Sequence, residues 1–175
     1  MKYIIIATIT LLCLFSYSQE KDFKDWKEHE IKNYNNLKRL AKYLNNKEKN
    51  EISKDTLFEK YIYFDYVLND TLIARKERRL QSFDTLFSFF RKPIDSLGIN
   101  NIDAKPIRFY KEDKIYESFT KELKEIEHDV FVYYKKDKPN TPIKCLLFER
   151  ETNKLLAWIL INQGGYRYFL TFNLL

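Results

Sequence analysis

The densest group of side chains able to bind a ligand is basic, with Arg75, Lys76, Arg78 and Arg79 in one short stretch. On a helix, like charges three or four residues apart repel one another by about 0.2–0.5 kcal/mol per pair. Something must offset that repulsion, and the sequence offers two alternatives. Either Glu77 and carboxylates of neighbouring elements pair with the cluster, or the cluster binds an anionic ligand or partner through Arg75, Arg78 and Arg79.

A second candidate binding surface lies near the end of the chain, in a strand predicted over 166–174. Alternate residues of a strand share a face. One face would carry a cation, a hydroxyl and an amide, namely Arg167, Thr171 and Asn173. The other would carry the apolar and aromatic members, namely Tyr166, Tyr168, Leu170, Phe172 and Leu174. We expect the aromatic face to pack on helices and the polar face to be open to a ligand.

The two histidines give little indication of a metal. His29 and Glu30 begin like the zinc-protease pattern, in which two histidines one helical turn apart bind zinc beside a glutamate, but position 33 is asparagine. A zinc site would require His29 and His128 to converge with a carboxylate, and the sequence does not impose that convergence. We therefore predict no metal and no cofactor.

The candidate catalytic residues in the sequence also give little indication of an enzyme. Cys145 lies within a predicted strand, where cysteine usually serves as a small core residue, so a Cys145–His128 nucleophile and base is not expected. Asp65 with Asp84 or Asp95 would do acid–base work only if the fold brought such a pair together. We expect a non-enzymatic domain that binds a small ligand, an envelope component or a partner protein. The alternative is a small hydrolase or isomerase with a carboxylate and Tyr or Arg partners between sheet and helices.

The first 18 residues have the features of a secretory signal peptide. Lys2 precedes an apolar run over residues 3–15, and Ser16 and Ser18 supply small side chains at positions −3 and −1 of a cleavage site. The run is shorter than the roughly 20 residues that span a bilayer, although an uncleaved anchor is the alternative. We expect cleavage before Gln19, export to the periplasm or the cell exterior, and no transmembrane segment in the mature chain.

Composition bounds the remaining residues, 19–175, to one domain of ordinary size. The chain has 31 Lys and Arg against 25 Asp and Glu, a net charge of +6. These charges are interleaved, which is typical of solvated helix faces rather than of a nucleic-acid surface, so we predict no nucleic-acid partner. After cleavage Cys145 is the only cysteine, which excludes an intramolecular disulfide.

Helical periodicity dominates the first part of the chain. It predicts an amphipathic helix over 22–46 and another from Leu72, which Pro93 kinks or stops, with Gly98 as the C-terminal cap if a last turn continues past the proline. Between them, Thr56 with Glu59 three residues later forms a capping-box pattern that predicts the start of a helix. The periodicity of residues 57–68 fits that helix, although the alternation over 61–68 also fits a strand.

The second part is rich in β-forming residues. A short strand over 106–111 and a brief helix near Ser118 lead into four runs, at 130–135, 143–149, 155–161 and 166–174. Helices followed by strands predict an α+β domain, in which N-terminal amphipathic helices pack on a C-terminal antiparallel meander of four or five strands.

Overall fold

The computed structural model describes residues 21–45 and 52–172. The predicted signal peptide and Asn173 lie outside these residues. The helices are α1 (Glu28–Leu44), α2 (Lys54–Lys60), α3 (Asp65–Leu68), α4 (Ile73–Leu97) and α5 (Lys114–Lys121), with 3-10 turns at Ile99–Asn101, Ile107–Tyr110 and Lys124–Asp129. The strands are β1 (Ile102–Pro106), β2 (Val130–Lys135), β3 (Pro142–Phe148), β4 (Leu155–Ala157), β5 (Leu160–Gln163) and β6 (Tyr166–Phe169).

The strands form an antiparallel sheet in the order β1-β2-β3-β4 and a separate β5-β6 hairpin. The predicted α+β class, with an antiparallel sheet after the helices, is confirmed. The strands that make up the sheet differ from the prediction. The sheet includes β1 at its edge, whereas β6, from the predicted strand over 166–174, lies outside it. The predicted strand over 155–161 breaks after Ala157, where the buried Trp158 turns to donate from Nε1 to the carbonyl of Leu86 at 2.8 Å.

One face of the sheet is covered by α1 to α4. The core there is rich in aromatic rings, with the stacked Phe58 and Phe64 centred 4.2 Å apart and Phe172 4.6 Å from Phe64. The other face is covered by α5, the 3-10 turns at Ile107–Tyr110 and Lys124–Asp129 and the β5-β6 hairpin, through residues such as Phe119 and Phe169. Burial on both faces explains why β2 is an almost continuous apolar run.

The aromatic face predicted for the last strand is wrong. Tyr166 is 75% exposed while Phe169 is 5% exposed. β6 ends at Phe169, so alternation does not extend to Phe172, although Phe172 is buried against the helices as expected. Gly164 and Gly165 have φ of 61° and 85°, and this tight turn places Tyr166 at the exposed tip of the hairpin.

Several element boundaries also differ from the predictions. Ser53, rather than Thr56, caps α2, since its side chain accepts from the backbone N–H of Thr56 at 3.3 Å. Residues 57–68 contain the end of α2 and the whole of α3, which residues 61–64 separate, and Ile62 in that link bridges to Leu155 of β4. The strand predicted over 106–111 is a 3-10 turn that follows β1. Gly98, with φ of 80°, caps α4 as predicted, although that helix continues through Pro93.

Candidate functional site

The arginine cluster is neutralised largely within the chain by Asp70, in the turn before α4. Arg75 donates to Asp70 Oδ1 at 2.7 Å and Arg79 to Oδ2 at 3.0 Å, and the Asp70 side chain is 1% exposed. Hydrogen bonds from Arg75 hold the pKa of Asp70 at about 2. Arg75 and Arg79 are therefore paired within the chain, and their partner is Asp70 rather than Glu77. Ligand binding by Arg75, Arg78 and Arg79 stays a prediction.

Arg167 and Thr171 belong to a different part of the surface. Arg167 lies on β6 beside a shallow cavity of about 300 Å³, which α5 and the hairpin enclose and which both lysines and glutamates line. Its backbone N–H donates to Glu122 at 3.1 Å. Thr171 follows the hairpin and is half-buried. The structure thus brings Arg75 and Arg79 together and places Arg167 in another cavity.

The two histidines converge, although the sequence did not require it. The rings of His29 and His128 meet edge to face at 5.9 Å between centroids, and His29 Nε2 lies 3.0 Å from the carbonyl oxygen of His128. Arg150 contacts His128 and pairs with Asp129 at 2.9 Å. The guanidinium therefore occupies the position beside the Asp129 carboxylate that a metal ion would need. No group of three metal-ligating side chains occurs in residues 21–45 and 52–172. The cluster ties α1 to the ends of β2 and β3.

The other candidates for chemistry have structural partners. Asp84 pairs with Lys54 at 2.7 Å and Asp95 pairs with Arg91 at 3.2 Å, which accounts for both carboxylates. Cys145 is 4% exposed on β3, and burial raises the pKa of its thiol to about 12. A protonated, inaccessible thiol is a poor nucleophile.

A larger convergence, which the sequence analysis missed, surrounds Asp103 on the edge strand β1. Lys21 Nζ lies 2.8 Å from Asp103 Oδ2, and the hydroxyl of Tyr134 donates to the same oxygen at 3.2 Å. Asp103 Oδ1 accepts from the hydroxyl of Tyr34 at 2.9 Å and from the backbone N–H of Ala104 at 2.8 Å. We call Lys21, Tyr34, Asp103 and Tyr134 the Asp103 cluster.

The electrostatics of the Asp103 cluster favour a fixed charge over proton transfer. Burial by itself would raise the pKa of Asp103, but the hydrogen bond and charge of Lys21 and the other donors outweigh it and lower that pKa. Burial raises the pKa values of Tyr34 and Tyr134, so both hydroxyls stay protonated and donate. A carboxylate held ionised, with both oxygens already accepting, is a weak general base near neutral pH.

Three lysines lie near the aromatic rings of the Asp103 cluster. Lys21 lies over the rings of Trp26, Tyr34 and Tyr134 at 5.1, 4.6 and 5.5 Å from their centroids. Lys38 Nζ lies 5.9 Å from the Tyr34 centroid. Lys105 lies 5.4 Å from the Tyr134 centroid, and burial lowers the pKa of its ammonium. Aromatic faces attract such cations, yet only one of the three charges is balanced by Asp103.

An apolar cavity of about 50 Å³ adjoins the cluster, between α1, the end of α4 and the sheet. A water molecule needs roughly 10–15 Å³ of such space, so the cavity exceeds a single water. Its apolar wall consists of Leu37, Leu40, Ala41, Leu44, Phe90, Ile94, Ile99, Ile102, Ala104 and Leu146. The polar residues that line it are Tyr34, Lys38, Asp103 and Tyr133. Because Lys38 is exposed, the cavity reaches solvent beside that side chain.

Tyr133 is the unusual member of this lining. The residue is 3% exposed, and its buried hydroxyl has no hydrogen-bond partner in the described part of the chain. Burial raises the pKa of Tyr133 to about 12, so the hydroxyl is a neutral donor and acceptor. Leaving such a group unsatisfied costs about 1–3 kcal/mol, and most buried polar side chains have a partner. A molecule in the cavity is a source of that partner.

Comparisons of the chain with models of protein families, with curated proteins and with solved structures found no match. The geometry of the site is therefore the basis for inferring a function. Among the described residues, none of the helices combines the length and the apolar character needed to cross a bilayer.

Proposed function

We propose that this chain is a non-enzymatic binding domain whose ligand is a small molecule with an apolar body and at least one polar atom. The ligand occupies the cavity beside the Asp103 cluster, between α1, α4 and the sheet. The supporting observation is the hydroxyl of Tyr133, which has no partner among residues 21–45 and 52–172, in a wall that is otherwise largely apolar. Binding sites for small molecules commonly combine an apolar lining with a few polar groups that fix orientation.

The chemistry of the site supports binding more than catalysis. A hydrolase or isomerase here would need a carboxylate that exchanges protons near neutral pH. Asp103 has a lowered pKa and accepts four hydrogen bonds, so it is better suited to hold the neighbouring side chains in place. We also propose that the domain acts after export, in the periplasm or outside the cell, because residues 1–18 have the pattern of a signal peptide.

The test is a titration of the purified protein with 1-butanol, followed by amide chemical shifts in NMR spectra. The alcohol supplies a short apolar chain and one hydroxyl for Tyr133. We expect shifts at cavity-lining residues such as Ala41, Ile94 and Leu146. Tyr133→Phe should weaken binding by roughly two- to tenfold, the worth of one net hydrogen bond.

Tyr168→Phe is the matched control, since it removes a hydroxyl that bonds Gln163 at 2.9 Å in the hairpin. This variant should bind 1-butanol as the wild type does. The proposal fails if 1-butanol leaves the cavity-lining amides unshifted. It also fails if Tyr133→Phe and Tyr168→Phe bind the alcohol equally well.

A further inference from the structure

The charges at the mouth of the cavity indicate which class of ligand it accepts. Lys38 is exposed and lines the cavity, so its ammonium lies where a bound molecule would meet solvent. Tyr133 is almost completely buried and marks an enclosed part of the same wall. A ligand with two polar ends can therefore bond Tyr133 with one end and meet Lys38 with the other.

The mouth carries more positive charge than its own carboxylate balances. Asp103 forms its ion pair with Lys21, at 2.8 Å. Lys38 forms no ion pair within residues 21–45 and 52–172, and its Nζ lies 5.9 Å from the centroid of the Tyr34 ring. Burial lowers the pKa of the Lys21 ammonium, and repulsion from Lys38 and from Lys105, two residues beyond Asp103 on β1, adds to that lowering. A bound anion would relieve this repulsion.

The lining also indicates the kind of anion. Phosphate sites usually present arginine forks or the backbone N–H groups of a helix N-terminus. The described residues that line this cavity include no arginine, and α1 contributes the middle and end of the helix rather than its first turn. A single lysine beside an apolar wall instead suits a singly charged carboxylate on a short aliphatic chain.

Building on the proposed function, we infer that the natural ligand is a small amphipathic carboxylate, whose charge Lys38 balances at the mouth and whose inner oxygen bonds Tyr133. The test uses three probes with the same four-carbon chain: 4-hydroxybutanoate, 1-butanol and 4-amino-1-butanol. All three carry the hydroxyl for Tyr133, and they differ at the other end. We expect 4-hydroxybutanoate to bind the purified protein most tightly and 4-amino-1-butanol most weakly.

Reversing the charge at position 38 should reverse which of the charged probes binds more tightly. Lys38→Met should bring the affinities for the carboxylate and the alcohol together, a loss of roughly two- to fivefold for the carboxylate, as expected for one exposed ion pair. Lys38→Glu should favour the amine over the carboxylate. Lys111→Glu makes the same change in net charge beside a different cavity, and it should keep the wild-type order.

The outcomes separate the two proposals. If 1-butanol binds and Tyr133→Phe weakens it, but the three probes bind alike, the carboxylate inference is wrong and the proposed function stands. The inference is equally wrong if Lys38→Glu and Lys111→Glu change the order of affinities to the same extent. If none of the three probes shifts the cavity-lining amides, both proposals fail.

Discussion

Asp70 and Asp103 both hold cationic side chains, but they recruit them from different distances along the chain. Asp70 binds Arg75 and Arg79, which follow it by five and nine residues. Asp103 binds Lys21, which lies 82 residues before it, and the hydroxyl of Tyr134, which lies 31 residues after it. One set of contacts is built within a turn and the first part of a helix, whereas the other requires α1, β1 and β2 to assemble.

This difference in partners shows why a dense run of charged residues is not by itself a binding site. Around Asp70, neighbours in sequence largely satisfy one another, and the cavity there of about 480 Å³ is lined by both signs of charge. Around Asp103, the carboxylate pairs with Lys21 while Lys38 lies near the Tyr34 ring, and the cluster borders an apolar cavity with a hydroxyl that has no partner among the described residues. A ligand requires charge and hydrogen-bonding capacity that remain after the chain has paired its own groups.

The largest expected effect is on stability at Asp103. Asp103→Ala would leave the ammonium of Lys21, which is 18% exposed, without its counter-ion. Breaking such a pair from one side should lower the free energy of unfolding by about 3 kcal/mol, as measured by urea denaturation. The double variant Lys21→Met with Asp103→Ala should recover more than half of that loss. Equal losses in the single and double variants would show that the ion pair does not stabilise this edge of the sheet.

The sequence predicts helices and strands whose apolar residues keep one regular spacing. It misses elements whose position depends on contacts with residues far away in the chain. β2 occupies 130–135 as predicted, and Gly98 ends α4 because a positive φ suits glycine there. The strand at 102–106 was missed, although apolar Ile102, Ala104 and Pro106 alternate with Asp103 and Lys105. That period of two was the available signal for a charged group on an edge strand.

The Asp103 cluster itself was beyond sequence reasoning. Its members come from the residues before α1, from α1, and from two strands, and only the antiparallel register sets Asp103 opposite Tyr134. The unpaired hydroxyl of Tyr133 was equally hidden, because a tyrosine in an apolar strand looks like any other core residue. The arginine cluster was visible for the opposite reason, since its members are neighbours in sequence.

Acid should weaken both carboxylate regions. The pKa values of Asp70 and Asp103 are lower in the folded chain than the value of about 3.9 for a free side chain. Their contributions are therefore complete above that value and are lost as pH falls through each folded pKa, which is about 2 for Asp70. In urea denaturation from pH 5 to pH 2, the stability gap between wild type and Asp103→Asn should narrow. A gap of constant size would contradict the lowered pKa of Asp103.

A smaller effect is expected from filling the cavity. Ala104 is 2% exposed on β1 and lines the cavity, and valine suits a strand. Ala104→Val should raise the free energy of unfolding by about 1 kcal/mol through newly buried methyl groups, while weakening the binding of 1-butanol. Ala157→Val is the control on β4, where Ala157 is 2% exposed but does not line the cavity, and overpacking should destabilise it. If both valines destabilise alike, the space beside Ala104 is not available to a side chain or a ligand.

The smallest effect on ligand affinity is expected from substitutions in the arginine cluster. This measurement shows whether the anion binds at the arginine cluster or at Lys38. Arg75→Ala should change the affinity for 4-hydroxybutanoate by less than about twofold, because Arg75 pairs with Asp70 beside another cavity and distant exposed charges are screened by salt. Arg78→Ala should have as little effect, whereas Lys38→Met should weaken binding by more than either. NMR titrations of the three variants at one ionic strength provide the comparison. A greater loss from Arg75→Ala or Arg78→Ala than from Lys38→Met would place the anion at the arginine cluster, as the second alternative drawn from the sequence predicts.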